Sequence, residues 1–315
     1  MQSRQGIILG FSAYVIWGLF PLYFKLLEDS GTVEIVLHRY LWALPMCALV
    51  LAVTGGLAQV RPVLRTPRRV GLLGAAALSL ALTSGVYIYA VNSGHVVEAS
   101  LGYFINPLVT VALGVAVLRE RPRRAQWWAV GICALAVAVL TVAYGRLPWI
   151  ALTLAGSFGV YGLLKNRVGG DVGALVGLTV ETLVLAPVAV VGVAAYAATG
   201  HGTFTVDAPW QGLLLASGGL AIVAPLLPFA AAVRRVPLIT IGLLQYITPV
   251  LQLLIGVALF HESMPASRWT GFGLVWAALA VLTADGLRAR ARSRAARQDR
   301  HTASEEERKR AQQGA

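Results

Sequence analysis

The chain has 315 residues, 57% of them apolar and 13% charged, and carries a formal net charge of +12. A soluble domain is about 25% charged, so this low charge and a mean hydropathy of +0.71 exclude an ordinary water-soluble fold. The basic residues fall in short clusters between apolar blocks and in the C-terminal segment, which is the pattern set by membrane orientation and argues against nucleic acid as a partner.

A spanning helix needs about 20 mostly apolar residues at a rise of 1.5 Å each. In chain order, such segments are expected at 7–27, 36–54, 70–91, 99–118, 125–143, 147–164, 174–198, 210–232, 237–260 and 268–286. The first is longer than a signal-peptide core and no small-residue cleavage site follows it, so it is expected to be retained. The chain is therefore expected to be an all-α integral membrane protein with ten transmembrane helices.

The loops set the orientation. With the N-terminus in the cytoplasm, 22 of the 26 Lys and Arg residues fall on that side, including Arg4, the clusters around Arg65 and Arg121, Lys165 and Arg167, Arg234 and Arg235, and the tail. Arg146 and Arg268 fall in loops on the other side, while Lys25 and Arg39 lie within spans. Such asymmetry places both termini inside and makes the number of spans even. Trp127, Trp128, Trp149, Trp210 and Trp269 each open a span, where an indole sits at headgroup level. Cys47 and Cys133 lie inside apolar blocks with no CxxC partner or His cluster nearby. They read as small apolar residues; no disulfide, metal site or cofactor is expected.

The chain repeats itself. The segment LGYFINPLVTVALGVAVLRERPRRAQWWAVG from Leu101 aligns with LLQYITPVLQLLIGVALFHESMPASRWTGFG from Leu243 at an offset of 142. That offset pairs Pro107 with Pro249, Gly114 with Gly256, Glu120 with Glu262, Trp127 with Trp269, and Arg39 with Glu181; Trp17-Gly18 lies over Tyr161-Gly162 at an offset of 144. Two five-helix halves are expected over 1–142 and 143–286, followed by a basic cytoplasmic tail, disordered or lying on the surface, over 287–315. Five is odd, so the second half enters the membrane from the opposite side, giving an inverted repeat of the kind used by secondary transporters.

Several residues inside the spans could serve a transport site. Arg39 and Glu181 are ionisable groups where burial is costly, and His38 sits beside Arg39. Inversion sends Arg39 and Glu181 toward opposite leaflets, so both are expected to face the interior between the halves, with direct pairing left open by the length of arginine. Lys25 reads as a snorkelling anchor. Tyr87, Tyr89, Asn92, Tyr103, Asn106, Gln245 and Tyr246, with Trp17 as an aromatic wall, suit a mixed apolar and polar substrate cavity. Pro107 and Pro249 are hinge candidates because each removes a backbone donor. Gly156, Gly159 and Gly162 form a small-residue stripe that would permit close helix contact. There is no GxxxxGK[ST] loop for ATP, no HExxH and no TVGYG filter run.

The stretches WGLFPLYFK (17–25), LHRYLW (37–42), YAVNSGHVVEASLGYFINPLV (89–109), LTVETLVLAP (178–187) and LLQYITP (243–249) resemble the RarD branch of the EamA family, in the drug/metabolite transporter (DMT) superfamily. The resemblance covers about 4–287. It implies ten helices, a bacterial inner membrane and secondary transport. The sequence departs from the family pattern at Leu82, Thr83 and Ser84, where Gly-Asn-Trp is expected, and at Arg119 and His261, where glycines are expected. The leading expectation is a permease or exporter of a small metabolite or drug working by alternating access in the lipid bilayer, as a monomer or homodimer, with proton coupling through Glu181 or His38. The rival readings are a membrane-embedded enzyme using Glu181, His38 or Glu98, and a receptor or assembly factor without flux.

Overall fold

The computed structural model describes residues 4–119, 122–200, 202–205 and 208–313. Glu120 and Arg121, which enter the repeat and the charge count, lie outside the described residues. Ten helical segments follow one another. They are α1 (Arg4–Gly18, continued as Phe20–Lys25), α2 (Thr32–Val53), α3 (Pro67–Asn92), α4 (Val96–Leu118), α5 (Arg124–Tyr144), α6 (Trp149–Val168), α7 (Ala174–Thr199), α8 (Pro209–Val233), α9 (Leu238–Leu244, Ile247–Leu254 and a π-helical turn Ile255–Leu259) and α10 (Ala266–Gln313). A short helix, Val60–Leu64, lies between α2 and α3. Nine of these segments are long and apolar enough to cross a membrane; the exception is α6, whose last turns carry Lys165, Asn166 and Arg167.

The repeat is written into the helix boundaries. The starts of α2 and α7 (Thr32, Ala174), α3 and α8 (Pro67, Pro209), α4 and α9 (Val96, Leu238), and α5 and α10 (Arg124, Ala266) are all separated by the same 142 positions. The packing follows the same exchange. Helix α1 packs on α8 and α9, and its counterpart α6 packs on α3 and α4; α2 meets α7, α4 meets α9, and α5 meets α10. A third trace is conformational. The only non-glycine residues with positive φ among the described residues are Arg119 (φ 55°) and His261 (φ 53°), again 142 apart. Left-handed backbone costs an L-residue about 1–2 kcal/mol, which gives a physical reason for the glycine expected at each position from the resemblance.

Proline sets the breaks. Pro21 cannot donate to the Trp17 carbonyl, and the helix is interrupted at Leu19 before resuming at Phe20. The Trp17 carbonyl instead accepts Gln252 Nε2 at 3.4 Å, and the Tyr14 carbonyl accepts Thr248 Oγ1 at 2.8 Å, so α1 is tied to α9 through its backbone. Pro249 likewise leaves the Gln245 carbonyl without its helical donor, and α9 breaks over Gln245 and Tyr246. The equivalent Pro107 lies in α4, which runs unbroken from Val96 to Leu118. The two hinge candidates therefore differ in shape although they share a register.

Close packing depends on glycine at particular crossings. A Cβ on Gly219 would lie 2.3 Å from the Trp42 carbonyl oxygen, so α8 meets α2 backbone to backbone. Of the expected stripe in α6, only Gly159 makes such an approach, 3.0 Å from Leu113 Cδ1; Gly156 and Gly162 face open space. Spacings of three residues drift by about 60° per step on a helix with 3.6 residues per turn, so the three do not share one face. Cys47 and Cys133 are buried, free thiols. The tryptophans at the span starts all face outward, from 40% exposed at Trp149 to 72% at Trp128.

The tail, expected to be disordered or to lie on the surface, is helical in its described residues. Helix α10 continues without interruption to Gln313. Residues 287–313 contain no Gly or Pro and are rich in Ala, Arg, Glu and Gln, all strong helix formers.

Candidate functional site

Two charged centres sit inside the bundle. The first is Arg39, seven residues into α2 and so about 10 Å along its axis. Its guanidinium carbon lies 5.3 Å from the centre of the Phe24 ring and 5.5 Å from that of Phe20, both on the second segment of α1. The titratable groups near enough to act on it are all tyrosines: Tyr40, Tyr23, Tyr103 and Tyr87. Arg39 Nε is enclosed and without a hydrogen-bond partner, while the residue as a whole keeps part of its surface open. Among the described residues no carboxylate pairs with it. An arginine at mid-membrane costs about 2.5–3.5 kcal/mol on insertion scales, and each desolvated cation–π contact returns about 0.5–2 kcal/mol. Two rings can therefore hold the guanidinium in place without a counter-ion.

The surroundings of Arg39 are polar and under-bonded. Tyr87 is buried and packs edge to face on Phe24 and on Tyr103, with ring centres 6.0 and 5.7 Å away. Its hydroxyl points toward Gln252 without a hydrogen bond of normal geometry, and Gln252 Oε1 is likewise enclosed and unpaired. Tyr23 Oη donates to the Leu214 carbonyl at 2.8 Å and lies 3.1 Å from Ser217 Oγ. Trp17 packs at the margin of the same apolar cluster, and its ring also meets Tyr14 and Phe229.

The second centre is Glu181, seven residues into α7 and fully buried. Its Oε1 accepts Lys165 Nζ of α6 at 2.6 Å, and Tyr161 Oη of α6 lies 3.5 Å from Oε2. The direct Arg39–Glu181 pair is not formed; Glu181 takes its cation from α6 instead. Lys165 counted among loop charges in the sequence, because a lysine at the end of an apolar segment reads as a topology signal. The overlooked clue was its spacing of four residues from Tyr161, which puts both on one helix face.

The other candidates disperse. His38 is buried, accepts Trp42 Nε1 on Nδ1 at 3.3 Å, and stacks 4.8 Å from the Phe204 ring, away from Arg39. Tyr89 turns outward, 43% exposed and 5.7 Å from the Trp149 ring. Residues two apart on a helix are about 200° apart, so Tyr87 and Tyr89 cannot line one cavity. Gln245 is exposed at the break in α9, and Tyr246 packs with the α4, α5 and α10 cluster. Asn92 is enclosed at the end of α3 with an unpaired amide; Asn106 accepts Thr110 Oγ1 at 3.2 Å and leaves Nδ2 unpaired. Leu82 faces outward, while Thr83 meets Ser157 Oγ of α6 at 2.7 Å, so the positions at which the resemblance implies Gly-Asn-Trp border the α3–α6 contact. Lys25 pairs with Glu28 at the exposed end of α1.

At the end of the bundle opposite the N-terminus, three carboxylates cap backbone. Glu34 accepts Thr203 N at 2.8 Å; Glu98 accepts Ile150 N at 3.1 Å and Arg146 Nη2 at 2.8 Å; Glu262 accepts Val96 N at 2.5 Å and Val97 N at 2.9 Å. The last two border a crevice of about 240 Å³ shared with His95, Tyr144 and Arg268. At the other end, Arg69 pairs with Asp171 and Arg123 with Asp285, each at 2.7 Å. Among the described residues, His, Cys, Asp and Glu do not gather in a group of three that could hold a metal.

An all-helical bundle of apolar helices, built as an inverted repeat with charges turned to its interior, defines a multi-pass membrane protein of transporter architecture. Residues 4–142 match the EamA-like transporter family. The chain is 51% identical over 294 residues to Protein RarD of Streptomyces exfoliatus, covering 93% of each chain. It is 43% identical to an uncharacterized transporter of Pseudomonas aeruginosa, covering 90% of this chain and 95% of that one. To Protein RarD of Escherichia coli it is 37% identical, covering 91% and 96%. A solved crystal structure, 18% identical, shares the fold with a TM-score of 0.53 over 88% of this chain and 96% of that chain. The chain belongs to the RarD branch of the EamA family, within the DMT superfamily of membrane transporters.

Proposed function

We propose that the protein is a secondary transporter that moves a small metabolite or drug across the bacterial inner membrane by alternating access. The observation that carries this is the pair of charged centres inside the bundle. Intramembrane ionisable residues are expensive and turn toward substrate or ion pathways, and here they occupy equivalent places in two inverted halves. The excess of Lys and Arg at the N-terminal end of the bundle supports a cytoplasmic location for that end and for both termini.

In this reading the Lys165–Glu181 pair is the coupling element. A proton taken by Glu181 on the cytoplasmic side releases Lys165 from its partner and loosens α6 from α7, freeing one half to move against the other. Flux in proteoliposomes, measured against internal and external pH with a panel of small metabolites and drugs as cargo, tests it. Glu181→Gln is expected to fold and to lose flux or its pH dependence. Normal, pH-dependent flux by Glu181→Gln removes the coupling role, and absence of any flux by the wild type removes the transporter reading.

A further inference from the structure

We infer that the substrate is a small organic anion with a flat apolar body, and that its anionic group docks on Arg39. The inference rests on the transporter reading of the two charged centres and names the class of cargo. Arg39 is a fixed positive charge within the span of α2, and the described residues offer it aromatic faces and phenols but no carboxylate. The carboxylate in the equivalent place on the other half, Glu181, is already held by Lys165. A cationic cargo would meet an uncompensated arginine, whereas an anion would supply the missing partner.

The detail of the site fits a carboxylate or similar oxyanion. The enclosed Nε of Arg39 and its neighbouring Nη form the edge that binds two oxygens side by side. Tyr87 Oη, unpaired in the same place, is a donor for one of them. Buried polar atoms are almost always paired, and three of those left unpaired among the described residues, Arg39 Nε, Tyr87 Oη and Gln252 Oε1, lie on α2, α3 and α9, helices drawn from both halves. The rings of Phe24, Tyr87 and Tyr103 stand next to one another, Phe24 against Arg39, and would form the apolar wall of such a site. Chloride or a fully hydrated dianion would leave those rings unused.

The test is equilibrium binding of radiolabelled benzoate to the purified full-length protein in detergent, with unlabelled benzyl alcohol and benzylamine as neutral and cationic competitors of similar shape. Benzoate is expected to bind and to resist both competitors. Arg39→Gln should weaken binding at least tenfold; Arg39→Lys, which keeps the charge but loses the two-donor edge, should weaken it less. Arg268→Gln, at the arginine of the crevice beside Glu98 and Glu262, should leave binding unchanged. Melting temperatures of the variants establish that they are folded. The inference falls if benzoate does not bind, if Arg39→Gln binds it normally, or if benzylamine competes as well as benzoate itself. Flux separates this from the parent reading: Glu181-dependent transport of a neutral or cationic compound that ignores Arg39→Gln would overturn the anion site and leave the transporter standing.

Discussion

The two halves place a charged residue at the same register and surround it differently. Arg39 and Glu181 are each the eighth residue of their helices, yet Arg39 meets rings and an unfilled set of donors, while Glu181 is closed off by Lys165 and Tyr161. The difference comes from the helix that faces each. Helix α1 supplies Phe20 and Phe24 from its second segment, and its counterpart α6 supplies Tyr161 and Lys165. Duplication fixes where in the bundle a charge stands; the neighbouring helix decides whether it is satisfied within the protein or left without a counter-ion.

The largest expected effect breaks that contrast directly. Lys165→Met leaves the buried Glu181 carboxylate alone and should destabilise the protein by about 3–5 kcal/mol. Arg39→Met orphans no partner and should be neutral or mildly stabilising. Thermal or denaturant unfolding in micelles measures both, and the double variant Lys165→Met/Glu181→Gln should recover most of the loss. Equal costs for Lys165→Met and Arg39→Met would mean that Arg39 is paired as firmly as Glu181.

A smaller effect concerns the contact that joins the halves at the far end. Glu262 of the second half caps the start of α4 in the first through two backbone donors. Glu262→Gln keeps one good acceptor and should cost about 1–2 kcal/mol, in line with a lost helix cap. Hydrogen exchange should rise at Val96 and Val97 and not around Glu181. The smallest effect tests the equivalence of the halves themselves. Arg119→Gly and His261→Gly each relieve left-handed backbone and should each stabilise by about 1 kcal/mol. Gains of similar size mark the two corners as equivalent, and a gain at one alone separates them.

Much of this was legible in the sequence because the repeat is anchored by residues that apolar composition does not supply by chance: Pro107 and Pro249, Trp127 and Trp269, Arg39 and Glu181. The offset they define recurs in the helix starts. Less of the site could be read. Lys165 was hidden by lying where a topological charge is expected, and Gln252, Tyr23 and the two phenylalanines look like ordinary span residues until neighbouring helices bring them to Arg39. Tyr89 and Gln245 were grouped by sequence proximity to cavity residues, and helical geometry turns both away. The continuation of α10 was masked because a dense run of charge resembles a disordered tail, while the same residues have high intrinsic helicity.

The unequal prolines carry a consequence for motion. Helix α9 is in pieces at Gln245 and Tyr246 and ends in a π-helical turn, while α4 is straight through Tyr103 and Phe104. A machine that turns inside out by letting its halves trade shapes must also trade these. If the halves trade shapes as the proposed alternating access requires, the jointed and the unjointed helix are two settings of one hinge. The geometry α4 would then take when the protein faces the other way is that of α9, with Tyr103, one turn before Pro107, as the residue that gives.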